Sequence, residues 1–388
     1  MFHVKQSGGI VLIYLDNAAT SWPKPESVYK ATDLSLRRAA NPGRGGHKLS
    51  RETAAAVLDA REGVANFFGV EDSRNIIFTS GATESLNMVI YGLMPRVKLI
   101  VSTGYEHNAL WRPLKDVANR FGCKVVCIDP LKKQGFDWEE YRDALSMGPD
   151  LVTISHASNV TGQVYPLGKM ARMAKEAGAL VCADVAQTAG VLPLDFQVLN
   201  LDFAAFPGHK GLLGPQGVGG LYISPGADLN PLRLGGTGSH SASEDAPTSR
   251  PERFEAGTLN VSGIIGLAAG VAYLESVGLE AVLRHELGLR QRAISGLKAL
   301  GAEIYGENGS TVGVLSFNLP DMDSSELAFV LDEEYGICLR GGLHCSPRAH
   351  QSLGTVERGT VRMSPGLFNT AEDIDFLLSA LARIKGVE

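Results

Sequence analysis

The 388-residue chain has few cysteines and no cysteine motif of a metal site or a disulfide scaffold. Its five cysteines are dispersed, with no Cys-x-x-Cys pair and no histidine at zinc-finger spacing. This pattern argues against a structural zinc or a disulfide framework and predicts a reducing compartment. Long hydrophobic runs are also missing, because the run GIVLIYL at 9–15 stops at Asp16 and is too short for a signal peptide or a membrane span. We therefore expect a cytoplasmic protein that has no membrane partner.

An excess of positive charge is absent as well. The chain has 36 basic and 42 acidic residues and a net charge of -6, which argues against nucleic acid as a main partner. Hydrophobic residues make up 44% and charged residues 20%, so intrinsic disorder is excluded for most of the chain. Many of the 45 glycines lie in short clusters beside apolar runs, where a missing side chain permits close approach of the backbone to a ligand.

Short apolar runs alternate with longer amphipathic ones, which predicts a mostly parallel sheet covered by helices. A helix is predicted over 50–68 with Ser50 as its cap, and a polar surface loop over 235–251. Helices over 264–276, 279–300 and 370–384 and a strand over 312–318 indicate a smaller α+β domain. We expect a large α/β domain over 26–262, and a small domain made of 1–25 and 263–388. The seven predicted strands of the large domain are 75–79, 97–102, 124–128, 151–155, 179–183, 203–206 and 218–223.

Polar residues follow strand after strand of this predicted sheet, at the edge where ligands of α/β proteins bind. The small residues at 80–85 open a helix and can present backbone N–H groups to an anion, although a simple capped turn has the same appearance. Asp184 ends a strand and needs a cation nearby, unless it only caps the next helix. Lys210 lies among glycines, prolines and leucines, so its amine is either desolvated or part of a solvated loop.

Together these residues meet the needs of one cofactor. Pyridoxal 5'-phosphate (PLP) requires a phosphate anchor, a counter-ion for its pyridinium nitrogen, a ring-stacking partner and an amine for a Schiff base. The turn at 80–85, Asp184, His107 and Lys210 supply these four groups.

The sequence resembles the fold-type I PLP enzymes of the class-V aminotransferase group, and within it the cysteine desulfurases and selenocysteine lyases. The likeness extends through nearly the whole chain and is carried by LDNAAT at 15–20, TSGATE at 79–84, EHN at 106–108, SNVTG at 158–162, DVAQ at 184–187, GHK at 208–210, FEAGT at 254–258 and VRMS at 361–364.

The resemblance implies a role for each matching residue. Lys210 is the lysine joined to the cofactor, His107 stacks on its ring, Asp184 binds the ring nitrogen and Gln187 the ring hydroxyl. A second set of positions is implied to bind phosphate, namely Ala82, Thr83, His209 and Thr258. Thr258 is expected to reach the phosphate of the other subunit, which implies a homodimer with composite sites. The implied substrate-binding residues are Asn159, Arg362 and His47. Many relatives have Ser or Thr where Pro207 stands, so one hydroxyl contact to phosphate is missing.

Cys345 is the residue on which the predicted reaction depends. It lies in the polar stretch LRGGLHCSPR at 339–348, where neighbouring Arg340, His344 and Arg348 favour the thiolate. We expect Lys210 to remove the α-proton of L-cysteine and the Cys345 thiolate to take the sulfur as a persulfide, leaving L-alanine. A reductant or an acceptor protein then takes the sulfur.

Several alternatives remain open at this stage. A selenocysteine lyase shares every residue named, another class-V aminotransferase or C–S lyase would not use Cys345, and a sulfur-relay scaffold would bind the cofactor without turnover. Cys345 itself fits a structural free cysteine as well.

Overall fold

The computed structural model describes residues 12–43, 45–128, 136–238, 243–307 and 309–386. The helices are α1 (Glu26–Arg38), α2 (Lys48–Phe67), α3 (Ala82–Gly92), α4 (Asn108–Phe121), α5 (Trp138–Ser146), α6 (Leu167–Glu176), α7 (Val261–Val277), α8 (Leu279–Ala299), α9 (Ser324–Tyr335), α10 (Pro347–Leu353) and α11 (Ala371–Lys385). The strands are β1 (Ile13–Tyr14), β2 (Ile76–Thr79), β3 (Leu99–Thr103), β4 (Lys124–Ile128), β5 (Leu151–Ser155), β6 (Leu180–Asp184), β7 (Phe203–Pro207), β8 (Gly219–Ile223), β9 (Glu303–Tyr305), β10 (Leu315–Asn318), β11 (Ile337–Cys338) and β12 (Val361–Met363).

Seven strands form one central sheet in the order β2-β8-β7-β6-β5-β3-β4. The ladders from β7 to β4 are parallel, and β8 runs antiparallel to both of its neighbours. The predicted mostly parallel, seven-stranded α/β sheet is thereby confirmed. Strands β5 to β8 are almost wholly buried, as expected for a sheet covered by helices on both faces. The carboxyl ends of β2, β5, β6 and β7 lie at one edge, where the polar residues were predicted to meet.

The C-terminal part builds a second layer around the antiparallel sheet β12-β10-β9. Its hydrophobic cluster includes Leu315, Phe317, Leu377 and Leu381, together with Leu15 from the N-terminal segment. The N-terminal segment reaches this cluster because β1 pairs with β11 in parallel. Helix α7, in contrast, contributes Ile264, Leu267, Val271 and Leu274 to the large core beside the seven-stranded sheet.

Two predicted details are wrong. The helix predicted to start at Ser50 begins at Lys48, and His47 is its cap, with a ring nitrogen that accepts the Ser50 N–H. The Ser50 hydroxyl instead donates to the Asn41 carbonyl at 2.8 Å. The strand predicted from 312 starts at Leu315, because the Val312 N–H donates to the carbonyl of Gly162, which is not part of a sheet.

The other helices begin and end within three residues of their predicted bounds, and Thr370 forms a capping box with Asp373 at the start of α11. The predicted loop over 235–251 falls partly outside the described residues, and its described part contains no helix or strand. Within the described ranges no single helix is long and apolar enough to span a membrane. Only α7 and α8 taken together pass by length and composition, and they are bent by 83°.

Candidate active site

A cavity of about 300 Å³ opens at the carboxyl edge of the central sheet. Its wall brings together most of the residues predicted for the site, from every part of the chain. The predicted residues that line it are Ala82, Thr83, His107, Asn159, Asp184, Gln187, His209, Lys210 and Arg362. The loops after β2, β3, β5, β6 and β7 therefore converge on one pocket of a size that small-molecule sites have.

Lys210 lies in the turn that follows β7, and its environment lowers the pKa of the amine. Burial lowers the pKa of Lys210 to about 8, and the Arg362 and Arg340 charges act in the same direction, while Asp184 opposes them. The turn is fixed by the N-terminal segment, because the Ser21 hydroxyl donates to the Lys210 carbonyl at 2.9 Å. The predicted desolvated amine thus agrees with the structure better than a solvated loop lysine.

Asp184 ends β6 and is buried, with 6% of its surface exposed. Burial raises the pKa of its carboxyl, while the Ala186 N–H and the Lys210 charge favour ionisation. The Ala186 N–H donates to Oδ1 at 2.9 Å, so a capping contact is present as well. Asp184 lines the cavity and forms no ion pair with another described residue, which leaves its carboxylate available to a cationic N–H of a bound ring.

His107 caps α4 and forms another wall of the cavity. Its Nδ1 accepts the Ala109 N–H at 3.0 Å, so the proton of the neutral ring is on Nε2. Burial lowers the pKa of His107 to about 4, with Lys210 and Arg340 contributing, and the imidazole is therefore uncharged at neutral pH. A flat, neutral ring in this place is suited to stacking.

The N-terminus of α3 forms the anion-binding end of the cavity. No side chain caps this helix, because its N-cap is Gly81. The first-turn N–H groups at Ala82 and Thr83 therefore face the pocket with the positive end of the helix dipole. A side chain at Gly219 would crowd this turn, since an added Cβ would lie 2.7 Å from the Gly81 Cα.

These observations fit PLP. The buried Nδ1 of His209 has no hydrogen-bond partner among the described residues, and His209 lines the same pocket as the uncapped end of α3. Pro207 lines the pocket without a hydroxyl, whereas Ser80 and Thr83 each bring one. Lys210, Asp184 and the α3 end would therefore hold the aldehyde, the ring nitrogen and the phosphate.

Arg362 on β12 is 1% exposed and reaches the cavity from the C-terminal part of the chain. Its Nη1 donates to the Asn159 carbonyl at 3.2 Å and its Nη2 to Asp16 Oδ1 at 2.5 Å. The Nε is buried and has no partner among the described residues. Arg362 therefore keeps N–H groups for a bound carboxylate.

The Asn159 side chain is largely engaged with the segment that carries Cys345. Its Nδ2 donates to the His344 carbonyl at 2.7 Å, and its Oδ1 accepts the Ser346 hydroxyl at 2.6 Å. Asn159 thus fixes the residues on both sides of the cysteine and keeps only one amide hydrogen for substrate.

Cys345 is partly buried and adjoins the cavity through its neighbours His344 and Arg340. The Arg340 Nη2 donates to the Cys345 Sγ at 3.3 Å, so a cationic donor lies against the sulfur. The Cys345 carbonyl accepts the Asn108 N–H at 2.7 Å, so the segment is joined to the start of α4. Both His344 and Cys345 have positive φ angles, 50° and 60°, in the left-handed region that few non-glycine residues adopt.

Three predicted residues do not line the cavity in this single chain, namely Cys345, which adjoins it, and Thr258 and His47. Thr258 is exposed, which agrees with a role toward a second subunit. His47 is exposed at the cap of α2, and its substrate role stays a prediction. All five cysteines are free, and burial raises the pKa of Cys182 and Cys338, which makes them poor nucleophiles.

Sequence reasoning gave Arg340 only as a neighbour of Cys345 and did not identify Tyr105 or Ser155 as wall residues. Tyr105 directly precedes the EHN motif and Ser155 is the last residue of a predicted strand. Their positions at the expected ligand-binding edge of the sheet could therefore have identified them. Asp16 belongs to the LDNAAT motif at 15–20, but nothing in the neighbouring sequence indicates its ion pair with Arg362.

Comparisons with known proteins agree with this geometry. The aminotransferase class-V family model matches residues 13–377. A probable cysteine desulfurase of Methanothermobacter thermautotrophicus is 37% identical, with 97% of this chain and 95% of the relative covered. The apo structure of a cysteine desulfurase from Thermococcus onnurineus is 36% identical, with 97% and 95% coverage and a TM-score of 0.90. The cysteine desulfurase CsdA of Escherichia coli is 32% identical, with the same coverages and a TM-score of 0.86. This chain therefore belongs to the class-V aminotransferase family.

Proposed function

We propose that the protein is a PLP-dependent cysteine desulfurase, which converts L-cysteine to L-alanine and receives the sulfur on Cys345 as a persulfide. The observation that carries this proposal is a cysteine paired with Arg340 at the rim of a cavity that also contains Lys210 and Asp184. The names of the relatives support the same activity.

Bound PLP supplies an electron sink for the negative charge that develops at the substrate α-carbon. Asp184 supports that sink by keeping the ring nitrogen protonated. Lys210, with its lowered pKa, takes the α-proton and holds it for return to the substrate. His107, which lines the cavity, would stack on the bound ring and exclude water from that side.

Arg362 orients the substrate through its carboxylate, and the Cys345 thiolate then attacks the substrate sulfur. A sulfur–sulfur bond forms while the carbon–sulfur bond breaks, and the bonding electron pair stays with the substrate carbon. That carbon is protonated and leaves as part of alanine. Arg340 stabilises the thiolate before the attack.

Incubation with L-cysteine and a thiol reductant tests the proposal. We expect equal amounts of alanine and sulfide from the native protein, and a loss of at least about a hundredfold in both for Cys345→Ala. Cys338→Ala is the matched control and should retain activity, because that thiol is directed at Asp332 at 3.5 Å. Undiminished sulfide release by Cys345→Ala would contradict the persulfide step and favour a C–S lyase that does not use this residue.

The homodimer, a sulfur-acceptor protein and a cytoplasmic location remain parts of the same proposal. Exposed apolar side chains on α1 and α2 support a covered face, and the most exposed of them is Leu36, at 71%. Thr258, which is exposed, would reach the phosphate of the partner subunit. We also propose that the chain divides into a large domain over 26–262 and a small domain made of the remainder. Helix α7 is the segment to test by limited proteolysis, because it follows this boundary but packs in the large core.

A further inference from the structure

The guanidinium of Arg362 has a fixed anionic partner in the structure. Asp16 Oδ1 lies 2.5 Å from Nη2, and the two side chains are 19% and 1% exposed. An arginine that is buried without a counter-ion is strongly destabilising, so this contact allows Arg362 to remain in the cavity when no substrate is bound.

Asp16 is held rigidly in this position. Its backbone bridges in parallel to Ser364, two residues beyond Arg362, and the Asn17 N–H donates to the Ser364 carbonyl at 3.1 Å. The Asp16 carbonyl accepts the Ala19 N–H at 3.1 Å and the Tyr14 hydroxyl at 3.1 Å. The carboxylate is therefore part of the frame that carries the arginine.

We propose that Asp16 is a positioning residue that holds Arg362 for the substrate carboxylate and, by its charge, limits how strongly that carboxylate binds. This inference rests on the role that the proposed function gives to Arg362. Two carboxylates share one guanidinium in the substrate complex, and their mutual repulsion offsets part of the attraction. The substrate is thus oriented without being bound so tightly that the product carboxylate is released slowly.

The charge of Asp16 also acts on Lys210. Asp16 raises the pKa of Lys210, against the lowering by burial, Arg362 and Arg340. The charged or titratable groups that face the Lys210 amine are Asp184, Arg362, Arg340, Asp16, His107 and His209. Removal of the Asp16 charge therefore has a second effect that can be measured in the cofactor-free protein.

The test compares Asp16→Asn with the native protein. The amide oxygen can still accept from Nη2, so Arg362 keeps a hydrogen-bond partner while the charge is lost, and circular dichroism checks that the variant remains folded despite the unpaired buried charge. We expect L-alanine to bind the cofactor-loaded protein about tenfold more tightly, measured by the change in cofactor absorbance. Ethylamine, which lacks the carboxylate, should show no gain. In the cofactor-free variant, the rate at which Lys210 reacts with an amine reagent should rise with pH through a lower midpoint than in the native protein.

Two control variants make the outcome specific. Asp375→Asn removes the anion of a surface Asp–Arg pair and should change neither quantity. Asp16→Asn combined with Arg362→Lys should lose the gain in alanine affinity. Unchanged or weaker alanine binding by Asp16→Asn, or an equal gain for ethylamine, would overturn the inference. Alanine binding does not require Cys345, so a failure of desulfuration in the native protein with these results intact would reject the proposed function alone.

Discussion

Lys210 illustrates how single residues in this site derive their properties from burial and nearby charge. Three features determine the pKa of its amine. Burial in the turn after β7 and two arginines from the C-terminal part of the chain lower it, and the Asp184 carboxylate raises it. Its neutral amine is the form that reacts with an aldehyde, so the fraction of this form determines how readily the cofactor is captured.

We predict that aldehyde capture by Lys210 in the cofactor-free protein rises with pH through a midpoint near 8. The neutral amine predominates above the pKa, so the rate should increase as pH rises through this value and level off above it. Asp184→Asn should move the midpoint lower, because the carboxylate favours the ammonium. Borohydride trapping and peptide mass spectrometry at Lys210 measure the rate. A native midpoint near the ordinary lysine value of 10.5 would show that the amine is solvated.

At the scale of elements, one buried ion pair joins three segments beneath the anion-binding end of the cavity. Arg61 of α2 contacts Glu255 through two hydrogen bonds of 2.6 and 2.8 Å. Arg61 also donates to the Ile76 carbonyl at 2.6 Å, and Glu255 accepts the Phe78 N–H at 2.6 Å. Helix α2, strand β2 and the FEAGT segment are thereby fixed to one another.

Glu255→Ala should lower the free energy of unfolding by about 3–5 kcal/mol, because it leaves the Arg61 guanidinium buried without its partner. Urea unfolding followed by circular dichroism gives this value. Asp375→Ala, which breaks the half-exposed pair with Arg292, should cost no more than about 1 kcal/mol. A similar small loss for both variants would mean that the buried pair contributes no more than a surface one.

Local patterns were sufficient to predict most elements, and the exceptions have local physical reasons. The strands of the central sheet are apolar runs between turns, so their positions follow from sequence alone. The true start of α2 was missed because the His47 ring takes the capping role, which serine performs more often. The early start predicted for β10 failed because Val312 bonds to a distant loop at Gly162.

At the scale of the whole molecule, the site depends on contacts that no local pattern contains. Asp16 and Arg362 are 346 positions apart, and Asn159 reaches His344 across 185 positions. The sequence predicted each loop from its own residues, and the resemblance placed them in one pocket. It did not predict which partner each polar group takes, because that depends on how the two ends of the chain pack together.

The apolar face of α1 and α2 predicts association of two copies. We expect a homodimer in sedimentation equilibrium, and dissociation to monomers for Leu36→Asp, because a carboxylate there would be buried without a partner. The matched control is Val198→Asp, at an 81% exposed apolar position outside these two helices. A monomeric native protein, or a Leu36→Asp variant that stays dimeric, would contradict the placement of the interface.

The backbone hydrogen bond between the Cys345 carbonyl and the Asn108 amide has a consequence for the delivery of sulfur. Asn108 directly follows His107, the residue that we propose stacks on the cofactor ring. If the Cys345 persulfide moves outward to transfer its sulfur to an acceptor, this hydrogen bond must break or the first turn of α4 must move with the loop. If the first turn of α4 follows, release of sulfur also displaces His107, and the pocket is complete again only after the loop has returned.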